Sequence, residues 1–121
     1  MQILVDTSVW VDHFNSKDSS LINLLYEGDV FTHAFIIGEL ACGNIKNRDE
    51  ILSHLQSLPR ARVSNIDEVL YFIDIHKLYG QGLGFVDINL LMSCLLDSLQ
   101  LFTRDKRLKK AARKLNISCK E

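Results

Sequence analysis

The strongest constraint in this chain is a pair of short apolar runs that each lead into a carboxylate. Ile3-Leu4-Val5 is apolar throughout and is closed by Asp6, and Leu101-Phe102-Thr103 leads through Arg104 to Asp105. A strand that is apolar at every position has both faces covered, as in a parallel sheet packed between helices. Ligands of open parallel sheets bind beyond the carboxyl ends of the strands, so Asp6 and Asp105 are expected at one common edge. Two further acids interrupt apolar helical sequence: Glu39 within Phe35–Cys42 and Asp87 within Leu83–Leu91. One turn from Glu39 are Phe35, Ile36 and Cys42, and around Asp87 are Leu83, Leu90 and Leu91, so both acids are expected on faces that otherwise pack inward. A lone buried carboxylate is costly or loses its charge. Four acids in core-type sequence therefore point to a cation that gathers them.

The alternative is that each acid caps a helix or meets a buried arginine. It suits Asp6 and Asp105, which both precede helices, but not Glu39, which has no basic residue within a turn on either side. The remaining acids have simpler explanations. Asp49, Glu50, Asp67 and Glu68 stand at helix starts, where the dipole favours them. Asp12, Asp18, Glu27 and Asp29 read as solvated or turn positions, Asp74 as a surface position, and Asp97 as an exposed helix end.

Element by element, the sequence predicts an α/β/α sandwich with a mainly parallel central sheet. Expected strands are Ile3–Val5, Val30–Thr32, Ala61–Val63 and Gln100–Thr103, with a terminal strand over 116–118. Expected helices include one capped by Thr7 or Ser8, then Ser19–Glu27 stopped by Gly28, and Ala34–Cys42. Asn47 with Glu50, and Asn65 with Glu68, have the spacing of capping boxes for the next two helices. The second of these carries Ile66, Val69, Leu70, Ile73 and Leu78 at helical spacing. Gly80-Gln81-Gly82-Leu83-Gly84 lacks the preceding strand that a dinucleotide fingerprint requires and reads as a loop. Phe85–Leu96 and Lys106–Leu115 are the last helices.

At 121 residues the chain fits one domain spanning 1–121, and its 47% hydrophobic and 24% charged residues are ordinary for a globular protein. No apolar run reaches the roughly 20 residues of a membrane span, and nothing resembles a signal peptide, so no membrane partner and a cytoplasmic location are expected. Cys42, Cys94 and Cys119 match neither a zinc spacing nor a disulfide framework. Charge is divided along the chain. Arg104–Glu121 holds eight bases and two acids, for +6, leaving six bases and 13 acids, for −7, in the rest. An acidic body with one basic end excludes a general cationic coat for nucleic acid but suits a metal site beside a phosphate-contacting helix. Taken alone, Lys109, Lys110, Arg113 and Lys114 read better as a solvated helix face that complements the C-terminal dipole.

Leu4-Val5-Asp6-Thr7-Ser8-Val9-Trp10, Glu39-Leu40, Asp87 and Phe102-Thr103-Arg104-Asp105-Lys106-Arg107-Leu108, in that order over nearly the whole chain, resemble PIN-domain ribonucleases, most nearly the VapC-type toxins of toxin–antitoxin pairs. The family usually follows its third acid with small residues, often Ala, where this chain has Ile88-Asn89-Leu90-Leu91-Met92. Asn89 is thus an added polar residue near the site. The resemblance implies a metal-dependent endoribonuclease, with a cognate antitoxin and a homodimer. Hard carboxylate oxygens suit the Mg2+ or Mn2+ such an enzyme needs. Asp6 and Asp87 are assigned as direct ligands, with Asp105 and Glu39 completing the site directly or through water. Thr7, Ser8 and Thr103 orient carboxylates or touch phosphate, and Arg104, Lys106 and Arg107 contact the RNA backbone.

Two other readings compete. A phosphoacceptor receiver domain needs an acceptor Asp ending a central strand and a Lys ending a late one, whereas Ala61–Val63 ends in Ser64-Asn65 and the late strand in Thr103-Arg104-Asp105. A non-catalytic binding module would not need all four acids. Within the family, an RNA-processing nuclease is the alternative to a toxin, and the short single-domain length favours the toxin.

Overall fold

The computed structural model describes residues 1–120; Glu121, the last residue of the expected domain, lies outside them. Its centre is a three-stranded parallel sheet in the order β2-β1-β3, with β1 at Ile3–Val5, β2 at Val30–Phe31 and β3 at Gln100–Phe102. Ile3 pairs with Val30 and Gln100, Leu4 with Phe31 and Leu101, and Val5 with Phe102. Alternate residues of β1 face opposite sides, yet Ile3, Leu4 and Val5 are all buried, so both faces of the sheet are covered. Burying Leu4 and Val5 contributes about 1.5–3 kcal/mol each.

Among the described residues seven helices surround the sheet: α1 (Thr7–Asn15), α2 (Ser19–Glu27), α3 (Ala34–Ala41), α4 (Arg48–Ser57), α5 (Ile66–His76), α6 (Phe85–Asp97) and α7 (Lys106–Lys114). Gly28 ends α2 at φ +73, as a left-handed stop should. Asn65 and Glu68 form a reciprocal capping box on α5. Leu108, Ala111 and Ala112 give α7 one buried stripe, while its bases face outward. Because every strand runs the same way, Asp6, Thr32 and Thr103 all leave the sheet at one edge.

Four local expectations change. Thr32 and Ser118 reach neighbouring chain only as single parallel bridges, to Arg60 and Leu101. Ala61–Val63 is not a strand: Asp97 accepts the Arg62 N–H at 2.8 Å, removing a donor that a ladder would use. Asn47 adopts φ +54 and makes no side-chain cap, and Glu50 faces His54 instead. The face of α5 is also rotated from the expected one. Val69 and Phe72 are buried, while Ile66 and Leu70 are about half exposed, at 55% and 51%.

Candidate active site

Asp6 follows β1 directly and occupies the N-cap position of α1, yet its side chain makes no cap bond. Its Oδ2 instead accepts from Ser8 Oγ at 2.8 Å and from Thr103 Oγ1 at 2.7 Å, and its N–H donates to the Phe102 carbonyl. The residue is only 7% exposed. Thr103 Oγ1 in turn accepts the Asp105 N–H at 3.1 Å, and Ser8 Oγ accepts the Arg104 N–H at 3.0 Å. Two hydroxyls therefore tie the end of β1 to the turn after β3.

The other three acids stand around this pair. Asp105 caps α7, accepting the Leu108 N–H at 3.0 Å. Asp87, in the first turn of α6, accepts the Gly84 N–H at 2.9 Å. Glu39, on α3, accepts from Thr7 Oγ1 at 2.8 Å and lines a cavity of 610 Å³ bordered by α1, α3 and α4. Partial burial raises the Asp87 pKa, the Gly84 N–H lowers it, and the charges of Asp6, Asp105 and Glu39 raise it again. The outcome is a carboxyl held above its ordinary range by burial first, with the charges of the other three acids adding to it.

Exposure differs from the sequence expectation. Only Asp6 is buried; Asp87 is half-buried, and Glu39 and Asp105 are exposed. Ile36 and Leu40 form the buried side of α3, and Glu39 sits one position round from Leu40, at the cleft rim and not in the core wall. Asn89 is buried, and its Nδ2 donates to the Phe85 carbonyl one turn back at 2.9 Å.

Electrostatic pairing divides the acids into two groups. Among the described residues none of the four cluster acids forms an ion pair; each accepts only from hydroxyls or backbone N–H groups. Outside the cluster, Asp12, Asp18 and Asp97 each hold an arginine. Among the described residues no three acids, histidines or cysteines are drawn into metal-holding spacing. Mutual repulsion opposes such convergence, and every carboxylate here has turned to a neutral donor. The donor set is nevertheless all hard oxygen, anionic and uncompensated, which fits a divalent cation such as Mg2+ or Mn2+.

Arg104, expected to contact phosphate, is paired with two acids of its own chain. Its guanidinium pairs with Asp12 at 2.9 Å and with Asp18, and lies 5.3 Å from the centre of the Phe102 ring. Partial burial alone would raise the Asp18 pKa, but the Leu21 N–H and Arg104 outweigh it and hold the carboxyl below its ordinary range. Asp12 and Asp18 are therefore not merely solvated. Asp97 is likewise engaged: burial would raise its pKa, but the Arg62 N–H and guanidinium overcome that. Asp18 carries a local capping signal three residues before Leu21. Its pairing with distant Arg104 carries none. Lys106 and Arg107 remain exposed in the first turn of α7.

Sequence reasoning also passed over His33, which is fully buried and begins α3. Its Nδ1 accepts the Phe35 N–H at 3.0 Å, so Nε2 carries the proton and donates to Ser93 Oγ at 3.1 Å. Ser93 then donates to the Arg62 carbonyl. Burial pushes the His33 pKa down, in keeping with this neutral tautomer.

Comparison with known proteins bears on the family and the fold. The PIN domain family profile matches residues 3–114. The chain is 44% identical over 120 residues to Ribonuclease VapC32 of Mycobacterium tuberculosis, in each of two strains, covering 98% of this chain and 97% of the relative. The crystal structure of PAE2754 from Pyrobaculum aerophilum superposes with a TM-score of 0.65 at 17% identity, covering 92% of this chain and 84% of that one. This last likeness concerns the fold alone.

Proposed function

Because the chain belongs to the PIN-domain family, we propose that it is a metal-dependent endoribonuclease, the toxin of a type II toxin–antitoxin pair, that hydrolyses RNA phosphodiester bonds with water as nucleophile. One observation supports the reading: four acids, from the end of β1, α3, α6 and the β3–α7 turn, lie close enough that the charges of three add to burial in raising the pKa of Asp87, and none has a protein counter-ion among the described residues. The 44% identity to a protein named a ribonuclease supplies the reaction class.

When bound by these carboxylates, Mg2+ or Mn2+ would offset charge on the phosphodiester and lower the pKa of water. Asp6 and Asp87 are the assigned direct ligands, with Asp105 and Glu39 completing the set. Ser8 and Thr103 donate to Asp6 Oδ2 and so would keep this carboxylate in one orientation for an ion. Thr7 does the same for Glu39. Lys106 and Arg107, next to Asp105, take the RNA backbone, while Arg104 braces the turn from behind.

The same reading makes residues 1–121 a single PIN domain acting in the cytoplasm. Among the described residues no helix is long and apolar enough to cross a membrane. Its cognate antitoxin places a segment in the groove at Glu39 and Thr7. The homodimer surface falls on the exposed apolar residues of α5, Ile66, Leu70, Tyr71 and Ile75.

The test is cleavage of a labelled RNA pool in Mg2+ or Mn2+ against EDTA, with wild type beside Asp87→Asn. The reading expects cleavage only with the divalent ion and only in wild type. Cleavage that persists in EDTA, or in the variant at the wild-type rate, would overturn it.

A further inference from the structure

We propose that the cavity between the Gly80–Gly84 loop and α7 binds RNA phosphates beyond the scissile one, guiding the substrate strand along Arg107, Lys110 and Lys114. The choice of RNA as ligand rests on the ribonuclease reading above. α7 begins at Asp105, inside the acid cluster, and leads away from it. Arg107, Lys110 and Lys114 recur at i, i+3 and i+7, a single helical stripe, and with Gln81 they line a cavity of 420 Å³. From Arg107 to Lys114 the stripe extends about 10 Å at the helical rise, more than one phosphate group.

A stripe of lysines on an exposed helix is ordinarily just solvated. Three features distinguish this one. First, Arg107 is seated: a Cβ at Gly82, where φ is +75, would lie 2.7 Å from its Nη1, so the guanidinium packs directly against the glycine backbone. Second, the loop that provides this wall is tied back to the end of α5, where Gln81 Nε2 donates to the Lys77 carbonyl at 2.7 Å. Third, among the described residues no acid pairs with Arg107, Lys110 or Lys114, whereas Arg62 and Arg104 are both committed to carboxylates. The result is a concave surface of unpaired donors beginning beside the reaction centre. It carries no base-reading pattern and thus positions the strand without specifying its sequence. An anionic strand is repelled by the acidic body and attracted to this end, which orients it along α7.

The experiment is binding of a labelled single-stranded RNA pool in EDTA over a range of salt concentrations. Wild type is compared with Lys110→Ala/Lys114→Ala and with Lys109→Ala/Arg113→Ala, which removes the same charge from positions outside the cavity. Loss of two phosphate contacts from a single strand is expected to reduce the slope of log K against log salt by about 1.4. Lys109→Ala/Arg113→Ala is expected to leave that slope at the wild-type value. Gly82→Ala, which displaces Arg107 without removing charge, is expected to reduce the slope by about 0.7. Equal slope losses in both lysine-containing pairs would mean diffuse attraction and overturn the proposal, as would no loss in either. Binding is read without turnover, so a protein that shows these slopes but never cleaves RNA with Mg2+ or Mn2+ would refute the ribonuclease reading and leave the phosphate track standing.

Discussion

Asp6 is the buried member of the acid cluster, and its partners are two hydroxyls rather than a cation. Asn at this position keeps an acceptor for both hydroxyls and removes the charge. Asp6→Asn is therefore expected to abolish cleavage without loss of metal-free stability. Thr103→Val removes the hydroxyl that serves both Asp6 and the Asp105 N–H, and should cost 10–100-fold, roughly, in metal affinity or activity. Titration of Mn2+ against folded Thr103→Val would measure it; wild-type affinity would refute the role. Asp87 bears on stability in the opposite direction from a salt-bridged acid. Its folded pKa is raised, so the metal-free fold loses stability as pH rises from the unfolded value through the folded one. His33 acts on the other side of neutrality. Its folded pKa is lowered, so its contribution is complete above the unfolded value of about 6.5 and is lost as pH falls below it. Melts from pH 7.5 to pH 5, about the range in which histidine titrates, should show Tm falling in wild type and a shallower fall in His33→Asn. Equal slopes would remove His33 from the account.

At the scale of elements, legibility followed how local each determinant is. β1, α2 and the acids at the strand ends were readable because an apolar run, a terminal Gly28 and an interrupting carboxylate are properties of neighbouring residues. Asn47-x-x-Glu50 and Asn65-x-x-Glu68 share one pattern, yet only the second closes a capping box; the backbone at Asn47 is left-handed, which no spacing rule encodes. Asn65→Ala should cost about 1 kcal/mol of stability by denaturant titration and leave RNA cleavage unchanged. The strand expected over Ala61–Val63 failed because Asp97, distant in sequence, takes the Arg62 N–H. Arg104 shows the same limit at the site. Its basic surroundings suggested phosphate, but Asp12 and Asp18 bind it from α1 and the start of α2. Arg104→Gln is expected to cost about 0.5–1 kcal/mol in stability, because its ion pairs are partly screened by solvent. It should lower activity through Thr103 and Asp105 while leaving the salt dependence of RNA binding intact. A flattened salt slope would restore it as a phosphate contact.

Across the whole molecule, charge and apolar surface divide the work. The acidic body supplies the cation cluster, the basic C-terminal helix supplies the track, and α5 presents Ile66, Leu70, Tyr71 and Ile75 to solvent. If α5 forms the homodimer surface, Leu70→Glu should shift the mass measured by light scattering from two chains to one without lowering the monomer's helix content. A wild-type protein that is already monomeric would refute that assignment. The cation cluster is the central claim, and the melting temperatures of wild type and Asp6→Asn, each with and without Mn2+, test it most directly. The account predicts that metal-free Asp6→Asn melts at or above wild type and that Mn2+ raises the wild-type Tm far more than the variant's. A metal-free Asp6→Asn that melts well below wild type, with no effect of Mn2+ on either protein, would make Asp6 a structural residue and contradict the account.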